Sequence, residues 1–197
     1  MALGLAACAA PAAPAEEPTP AAEPETEKVD SQAILAELKT PAEESNWERT
    51  TSSQEVIDFL KVVAEHSAGR IILDTTTFAT EAGTPIPYMI ISDVAPASPA
   101  DVPEDKGVVY VNCNIHSGEI EGKESMMIFA REVAQGKHDD LLKDLVVIIV
   151  PNSNPDGNDN LGKNRITTQF TPKLVGTRAE GNLSLIHISE PTRPRLI

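Results

Sequence analysis

The sequence has few cysteines, few aromatic residues and a deficit of positive charge, and each shortage limits what the protein can be. Two cysteines among 197 residues allow at most one disulfide bond. Aromatic residues make up 4% of the chain, and much of the 41% hydrophobic content is alanine. A hydrophobic content of 41% is still enough for one core. The net charge of -14 argues against a nucleic acid partner, because phosphates bind cationic surfaces. No apolar run is long enough to span a bilayer as a helix.

The two cysteines lie in different contexts. We interpret Cys113 as a small buried side chain on a strand. Residues 5–8, Leu-Ala-Ala-Cys, resemble a bacterial lipobox, in which the cysteine is lipidated after signal cleavage. The charged segment that opens a signal peptide is missing, so either the natural start lies upstream of Met1 or the similarity is accidental. Lipidation of Cys8 would attach the protein to a membrane in the bacterial cell envelope; without it, a periplasmic or secreted protein is expected.

An acidic, proline-rich segment follows. Residues 9–44 are rich in Ala, Pro, Glu and Thr, and the first 45 residues hold half of the excess negative charge. Such a segment cannot bury enough apolar surface to offset its ordering entropy, so we predict a disordered linker with a short helix at 32–39. The folded domain is then expected over residues 45–182.

The first long helix is predicted after residue 52. Ser52 and Glu55 have the spacing of a capping box, in which each residue bonds the other's backbone amide. Apolar residues then recur at helical spacing to about His66, and Gly69 ends the pattern. These apolar residues are Val56, Phe59, Leu60 and Val63.

Four strands are predicted, near 70–79, 87–94, 107–113 and 145–150. The first two form a hairpin at one edge of a sheet. A helix that ends at Gly136 separates the last two, so these should be parallel with a right-handed crossover. The predicted fold class is α/β, with a mixed, mainly parallel sheet and helices on both faces.

A polar turn after the strand that begins at Gly107 holds His116 and Glu119. Open α/β sheets place ligand sites beyond the carboxyl ends of their strands. A histidine and a carboxylate three residues apart can bind one zinc ion, although the same spacing also arises on polar surfaces. The place after a buried strand favours the metal hypothesis. His66 and His138 are instead predicted to be solvated or capping residues.

The strand at 145–150 leads directly into a second polar turn. Residues 154–157, Asn-Pro-Asp-Gly, have turn chemistry throughout, because Pro fixes φ and Gly accepts positive φ. The turn is either a plain loop or a wall of the same site. Since parallel strands end at one sheet edge, it should lie beside His116 and Glu119.

Three motifs together resemble the zinc carboxypeptidase family, the M14 metallopeptidases. They are NIHSGEIEGKES at 114–125, VPNSNPDGN at 150–158 and GTRAEGN at 176–182. The resemblance implies a zinc-dependent peptidase that removes C-terminal residues from peptides. In that family two histidines and a glutamate hold the zinc ion, a further glutamate is the general base, and an arginine and an Asn-Arg pair bind the substrate's terminal carboxylate.

The family's site residues transfer only in part. His116 and Glu119 match the first two zinc ligands, and Arg165 is the candidate substrate arginine, with Arg178 as the alternative. The third ligand, the Asn-Arg pair and the general base have no counterpart, so no catalytic residue is assigned. Two other functions stay open: an amidohydrolase acting on N-acyl amino acids, and a non-catalytic lipoprotein binding module.

The end of the sequence requires a separate explanation. Residues 183–193, LSLIHISEPTR, equal the translation of a transposase mosaic end with its sequencing adapter. We therefore expect the natural sequence to run to about Asn182 and residues 183–197 to be a non-native tail, in which His187 has no role. The fold should then be incomplete, with an apolar edge beside the strand at 145–150, and the chain as written should hydrolyse nothing.

Overall fold

The computed structural model of the protein describes residues 30–177, which form a sheet, a small ribbon, six α-helices and a 3-10 helix at Pro99–Asp101. The helices are α1 (Ser31–Glu37), α2 (Pro41–Glu44), α3 (Ser53–Glu65), α4 (Glu121–Ala134), α5 (Asp139–Leu142) and α6 (Pro155–Asp159). The strands are β1 (Ile71–Asp74), β2 (Tyr88–Ile91), β3 (Gly107–Asn112), β4 (Leu145–Val150), β5 (Leu161–Lys163) and β6 (Leu174–Gly176). Over this range no helix has both the length and the apolar character that crossing a membrane requires.

Four strands form one mixed sheet in the order β1-β2-β4-β3. β1 and β2 form the predicted antiparallel hairpin at one edge, and β2 also pairs antiparallel with β4. β3 and β4 are parallel, with Gly107 opposite Leu145 and Asn112 opposite Val150. The mixed α/β class and the parallel pair are thus confirmed, although only one of the three pairings in this described sheet is parallel.

The exposed edge lies on a different strand from the one we predicted. The expected edge beside 145–150 is wrong, because β4 pairs on both sides and lies inside the sheet. β3 is the outer strand of the described sheet, and its Val108 and Tyr110 side chains are 56% and 62% exposed. A strand with one unpaired edge and exposed apolar side chains is prone to pair with other chains.

One face of the sheet is covered by helices. Side chains alternate between the two faces of a strand, and the residues on the covered face belong to a single apolar cluster. Its fully buried members include Leu35, Val56, Leu60, Val63, Met89, Ile91, Met127, Ala130, Val133, Leu142 and Ile149. Ile72, Ile90 and Ile148 point to the opposite face and are partly exposed. The apolar cluster of residues 30–177 therefore lies against one face of the sheet, while Val146, on the other face, is also buried.

The folded region begins earlier in the chain than we predicted. Leu35 of α1 is fully buried in the apolar cluster. α2 starts with a capping box, in which the Thr40 side chain accepts from the Glu43 amide and the Glu43 carboxylate accepts from the Thr40 amide. The short helix predicted at 32–39 is present as α1, whereas the predicted disorder of 9–44 is wrong over residues 30–44, because this part is packed onto the core. The average composition concealed one core leucine and one capping pair; residues 9–29 lie outside the described range.

The N-terminus of α3 forms as predicted. The Ser52 side chain accepts from the Glu55 amide, and the Glu55 carboxylate accepts from the Ser52 amide at 2.9 Å. The helix ends at Glu65, and Gly69 follows with a φ of 81°, a conformation that favours glycine. The N-terminal end of α3 lies beside the loop that follows β4, because Ser53 Oγ donates to the Pro155 carbonyl at 3.1 Å.

Candidate metal centre

Residues 113–120 connect β3 to α4 and are called here the candidate metal loop. The loop starts as a continuation of the sheet, because the Cys113 amide donates to the Val150 carbonyl at 2.9 Å. The chain then turns at Asn114, whose φ of 55° lies in the left-handed region. A tight turn follows, closed by the Glu119 amide donating to the His116 carbonyl at 2.7 Å.

This turn brings His116 and Glu119 together. The His116 Nδ1 lies 3.1 Å from Oε1 and 3.2 Å from Oε2 of Glu119. Two ligands of one tetrahedral zinc ion lie about 3.4 Å apart when each is 2.0–2.2 Å from the metal. An imidazole nitrogen and a carboxylate at this separation are a donor set that fits zinc. Their role as zinc ligands stays a prediction.

The second polar turn supports the candidate metal loop directly. Ser117 Oγ donates to the Asn154 carbonyl at 3.0 Å, and Asn154 Nδ2 donates to the Ile115 carbonyl at 3.3 Å. Ser153 donates through its amide to the Cys113 carbonyl at 3.1 Å. The Asn-Pro-Asp-Gly turn is the start of the short helix α6, with the Asn154 side chain accepting from the Gly157 amide at 3.0 Å. The two loops therefore form one hydrogen-bonded unit.

Glycines allow a third segment to approach this unit at backbone distance. A Cβ on Gly157 would lie 2.5 Å from Ser117 Oγ and 2.6 Å from the Thr177 carbonyl oxygen. A Cβ on Gly176 would lie 2.6 Å from the Gly157 carbonyl oxygen. No L-residue with a side chain fits at such distances, so these glycines permit β6 to lie against both loops.

The antiparallel ribbon of β5 and β6 forms one wall of a cleft above the pair. The strands β5 and β6 are absent from the sequence prediction, because three residues each are too few for a recognisable period. The cleft has a volume of about 430 Å³, and its lining includes His116, Glu119, Lys163 and Arg165. The structure therefore places Arg165 at the same cleft as the candidate ligands, with a second cation, Lys163, beside it.

No third ligand joins the pair within the described range. Residues 30–177 contain no group of three His, Cys, Asp or Glu side chains arranged to hold a metal ion. His66 Nδ1 is 3.0 Å from Ser31 Oγ, and His138 Nε2 is 2.9 Å from the Glu132 carboxylate. Both histidines thus have hydrogen-bond partners away from the cleft. Cys8, Arg178 and His187 lie outside the described residues.

Sequence reasoning missed a buried polar cluster beneath the loops. Lys123 Nζ donates to Thr50 Oγ1 at 2.7 Å and to Asn158 Oδ1 at 2.6 Å. Glu124 accepts from Thr50 Oγ1 at 2.9 Å, and from the Thr51 amide and hydroxyl at 2.8 and 2.6 Å. Burial lowers the pKa of the Lys123 ammonium to about 8, while the charge of Glu124 acts in the opposite direction.

The spacing of residues along α4 could have predicted that Lys123 is buried. Lys123 precedes Met127 by four residues and Ala130 by seven, so all three lie on one side of the helix. Because that side is buried, a lysine on it had to have polar partners inside the protein. The partners themselves lie far away in sequence and carried no local signal.

Sequence comparison identifies the family that the chain matches. A family model described as zinc carboxypeptidase matches residues 57–172, which is more than half of the chain. The matched range contains the candidate metal loop, the second polar turn and Arg165. No curated protein sequence matches the chain significantly.

Two solved structures have a similar fold. Carboxypeptidase A from Helicoverpa armigera is 19% identical with a TM-score of 0.51, and the similarity covers 78% of this chain and 35% of that chain. For thrombin activatable fibrinolysis inhibitor the identity is 19%, the TM-score 0.50, and the coverage 75% of this chain and 37% of that chain. At these identities the similarity shows the fold alone. The chain spans less than two fifths of the length of either protein.

Proposed function

The chain belongs to the zinc carboxypeptidase family, and from this membership we propose that it carries one part of the catalytic centre of a zinc-dependent carboxypeptidase. In the full-length parent protein the reaction would be the removal of C-terminal residues from peptides. The observation that carries the proposal is the convergence of the His116 imidazole and the Glu119 carboxylate at the carboxyl end of β3.

His116 and Glu119 would hold the zinc ion from one side. Zinc bound there would supply a Lewis acid that activates water and polarises the scissile carbonyl. The described residues contribute rigidity, because Ser117 and Asn154 bond the candidate metal loop to α6. The two candidate ligands keep 40% and 50% of their side-chain surface exposed, which leaves them accessible to a metal and a substrate.

Arg165 is our candidate for binding the substrate's terminal carboxylate. It lines the same cleft as His116 and Glu119. A planar guanidinium can bind a carboxylate through two parallel hydrogen bonds, which fixes the direction of the peptide as well as its position. Lysine keeps the charge but lacks this fork, so Arg165→Lys should weaken peptide binding even though the charge is unchanged. Arg178 remains the alternative.

The remaining parts of the centre would come from outside residues 30–177. A catalytic zinc site takes three protein ligands, and the candidate metal loop would supply two. We propose that the third ligand and the general base belong to the natural continuation past Asn182. A missing general base alone costs at least about a hundredfold in rate, so the 197-residue chain should release no amino acids from peptides.

The lipid attachment of Cys8 is a separate proposal that is supported by the sequence pattern alone. It would hold the peptidase domain at the bacterial cell envelope. Palmitate labelling in a bacterial host, with an added signal peptide, should mark the parent chain and leave Cys8→Ser unlabelled. Equal labelling of the two would contradict the proposal.

The proposed activity is tested by assaying two proteins side by side. One is the 197-residue chain, and in the other the natural continuation replaces residues 183–197. We expect only the longer protein to release C-terminal residues from peptides, and we expect a zinc chelator or His116→Ala to abolish that release. His138→Ala is the control and should stay active. Hydrolysis that survives both zinc removal and His116→Ala would contradict the proposal.

A further inference from the structure

A fully buried lysine lies between α6 and the segment before α3. Lys123, in the first turn of α4, has no exposed surface. Its ammonium has three donors, and it has three acceptors: Thr50 Oγ1, the Thr51 carbonyl and Asn158 Oδ1. The Glu124 carboxylate lies 3.5 Å from the same nitrogen. The charge is tolerated in the interior because it is paired and completely hydrogen-bonded.

Stability alone does not explain a lysine at this position. Exchanging both members of the buried pair, Lys123 and Glu124, for apolar residues would often be neutral or stabilising, since no charge would then have to be desolvated. Met127, one turn further along the same side of α4, is fully buried in the apolar cluster. A cation in the first turn also opposes the helix dipole. The position therefore keeps a costly group where an apolar residue would fit.

The hydrogen bonds of Lys123 continue into the candidate metal loop. The Asn158 Oδ1 that accepts from Lys123 also accepts from Asn114 Nδ2 at 3.0 Å. Asn114 Nδ2 in turn donates to Asn152 Oδ1 at 2.8 Å, just beyond the end of β4. Asn114 stands two residues before His116 and has a φ of 55°, which most L-residues avoid. Its side chain thus anchors the turn that leads into the candidate ligands.

We infer that Lys123 is a positioning residue for the zinc site. Its ammonium holds Asn158, Asn158 holds Asn114, and Asn114 sets the path of the chain into His116 and Glu119. The inference rests on the proposed zinc site and extends it to a residue that touches neither ligand. A hydrogen-bond relay of this kind fixes direction as well as distance, which an apolar contact does not.

The relay also has a fixed far end. The Glu124 carboxylate binds the Thr51 amide and both threonine hydroxyls, of Thr50 and Thr51, with all three distances between 2.6 and 2.9 Å. The acceptors that hold the Lys123 ammonium are therefore themselves held in place. Movement of Lys123 would require the segment before α3 to move with it.

The first test uses hydrogen exchange of the full chain without metal. In Lys123→Met, the amides of Cys113 and Glu119 should exchange at least about tenfold faster than in the parent, because local opening of the loop becomes easier. Amides of β1 and β2, which lie away from the relay, should speed up no more than the loss of global stability, measured by urea denaturation, accounts for. Lys137→Met removes an exposed lysine just past the end of α4 and should change none of these rates.

The second test measures Co²⁺ affinity by titration of the visible absorption spectrum. Substitutions behind metal ligands typically cost 10–100-fold in metal affinity, and we expect a loss in roughly this range for Lys123→Met. Val133→Ala removes apolar contacts from the same helix and should lower stability while leaving the Co²⁺ affinity within about twofold. Unchanged exchange in Lys123→Met, or an equal loss of affinity in Val133→Ala, would overturn the inference.

A third variant addresses the relay itself. Asn158→Leu keeps the shape of the side chain and removes the link between Lys123 and Asn114. It should loosen the loop as Lys123→Met does. The double variant should lose no more Co²⁺ affinity than the single variant with the larger loss, since both substitutions break the same chain of hydrogen bonds. Additive losses would contradict the relay, and Asn158→Leu decides the question alone if Lys123→Met does not fold. If the chain without substitutions binds no Co²⁺, the proposed zinc site is wrong. The hydrogen-exchange rates then still decide whether Lys123 positions the candidate metal loop.

Discussion

Two kinds of interior lie side by side in this protein. Beneath the sheet, fully buried side chains such as Leu60 and Met127 form an aliphatic core. Beyond the carboxyl ends of β3 and β4, the interior consists of polar groups such as Lys123, Asn152 and Asn158, which are equally buried. Hydrophobic burial stabilises without direction, whereas buried hydrogen bonds hold particular atoms in place. The candidate site lies over the interior of buried hydrogen bonds, and the aliphatic core stabilises the fold behind it.

The largest loss of stability is expected from the polar interior. Glu124→Ala would leave the Lys123 ammonium buried without its carboxylate, and breaking a buried pair costs about 3–5 kcal/mol. Urea denaturation should show this loss in the free energy of unfolding. Glu65→Ala, at an exposed position at the end of α3, is the control and should change it by less than about 0.5 kcal/mol. Equal effects of the two variants would mean that the polar interior contributes no more than surface charge.

A loss of similar or smaller size is expected from the aliphatic interior. Leu60→Ala removes a fully buried side chain from the apolar cluster, and such substitutions cost about 2–5 kcal/mol. Co²⁺ affinity measured at low temperature, where the variant is still folded, should match that of the parent. If Leu60→Ala weakened metal binding as much as Lys123→Met, the two interiors would not differ in function.

A small and pH-dependent effect is expected where the polar interior meets solvent. Arg49 bonds both carboxylate oxygens of Glu55 at 2.9 Å and lowers the pKa of that carboxyl to about 2, from an ordinary value of 4.5. A lowered pKa stabilises the folded state above pH 4.5, and this contribution is lost as the pH falls towards 2. Glu55→Gln should therefore cost less than about 1 kcal/mol at pH 7, because the pair is partly exposed.

Thermal unfolding of the parent and Glu55→Gln across this pH range checks the prediction. The difference between them should shrink steadily below pH 4.5. Glutamine can still accept from the Ser52 amide, so the cap of α3 is kept in the comparison. A difference that does not change with pH would show that the ion pair contributes nothing.

The contrast between the two interiors also separates what the sequence could predict from what it could not. The helical period of α3 and the apolar runs of β2 and β4 predicted these elements, and the βαβ order predicted the parallel pair of β3 and β4. Leu35 was missed because a single core leucine within an acidic, alanine-rich segment has no period. The outer position of β3 depends on how β2 pairs, which local patterns do not encode.

For the candidate site, too, the sequence predicted what short-range patterns encode and missed the contacts between residues far apart in the chain. The His116 and Glu119 pair lies within three residues and after a buried strand, so short-range reasoning found it. Arg165 was proposed from the resemblance to the family, and it lines the same cleft as the pair. Lys123 and Asn158 meet across 35 residues, and their contact exists only once β4 and α6 are folded. Directional networks of this kind are tertiary, and composition does not reveal them.

The central claim is that His116 and Glu119 act together as zinc ligands. Competition with a chromophoric chelator measures the zinc affinity of the 197-residue chain directly. We predict one weakly bound zinc ion per chain, with the affinity reduced about tenfold or more by either His116→Ala or Glu119→Ala. His138→Ala should leave it unchanged. If His116→Ala bound zinc as tightly as the parent, the convergence of the two side chains would not be a metal site.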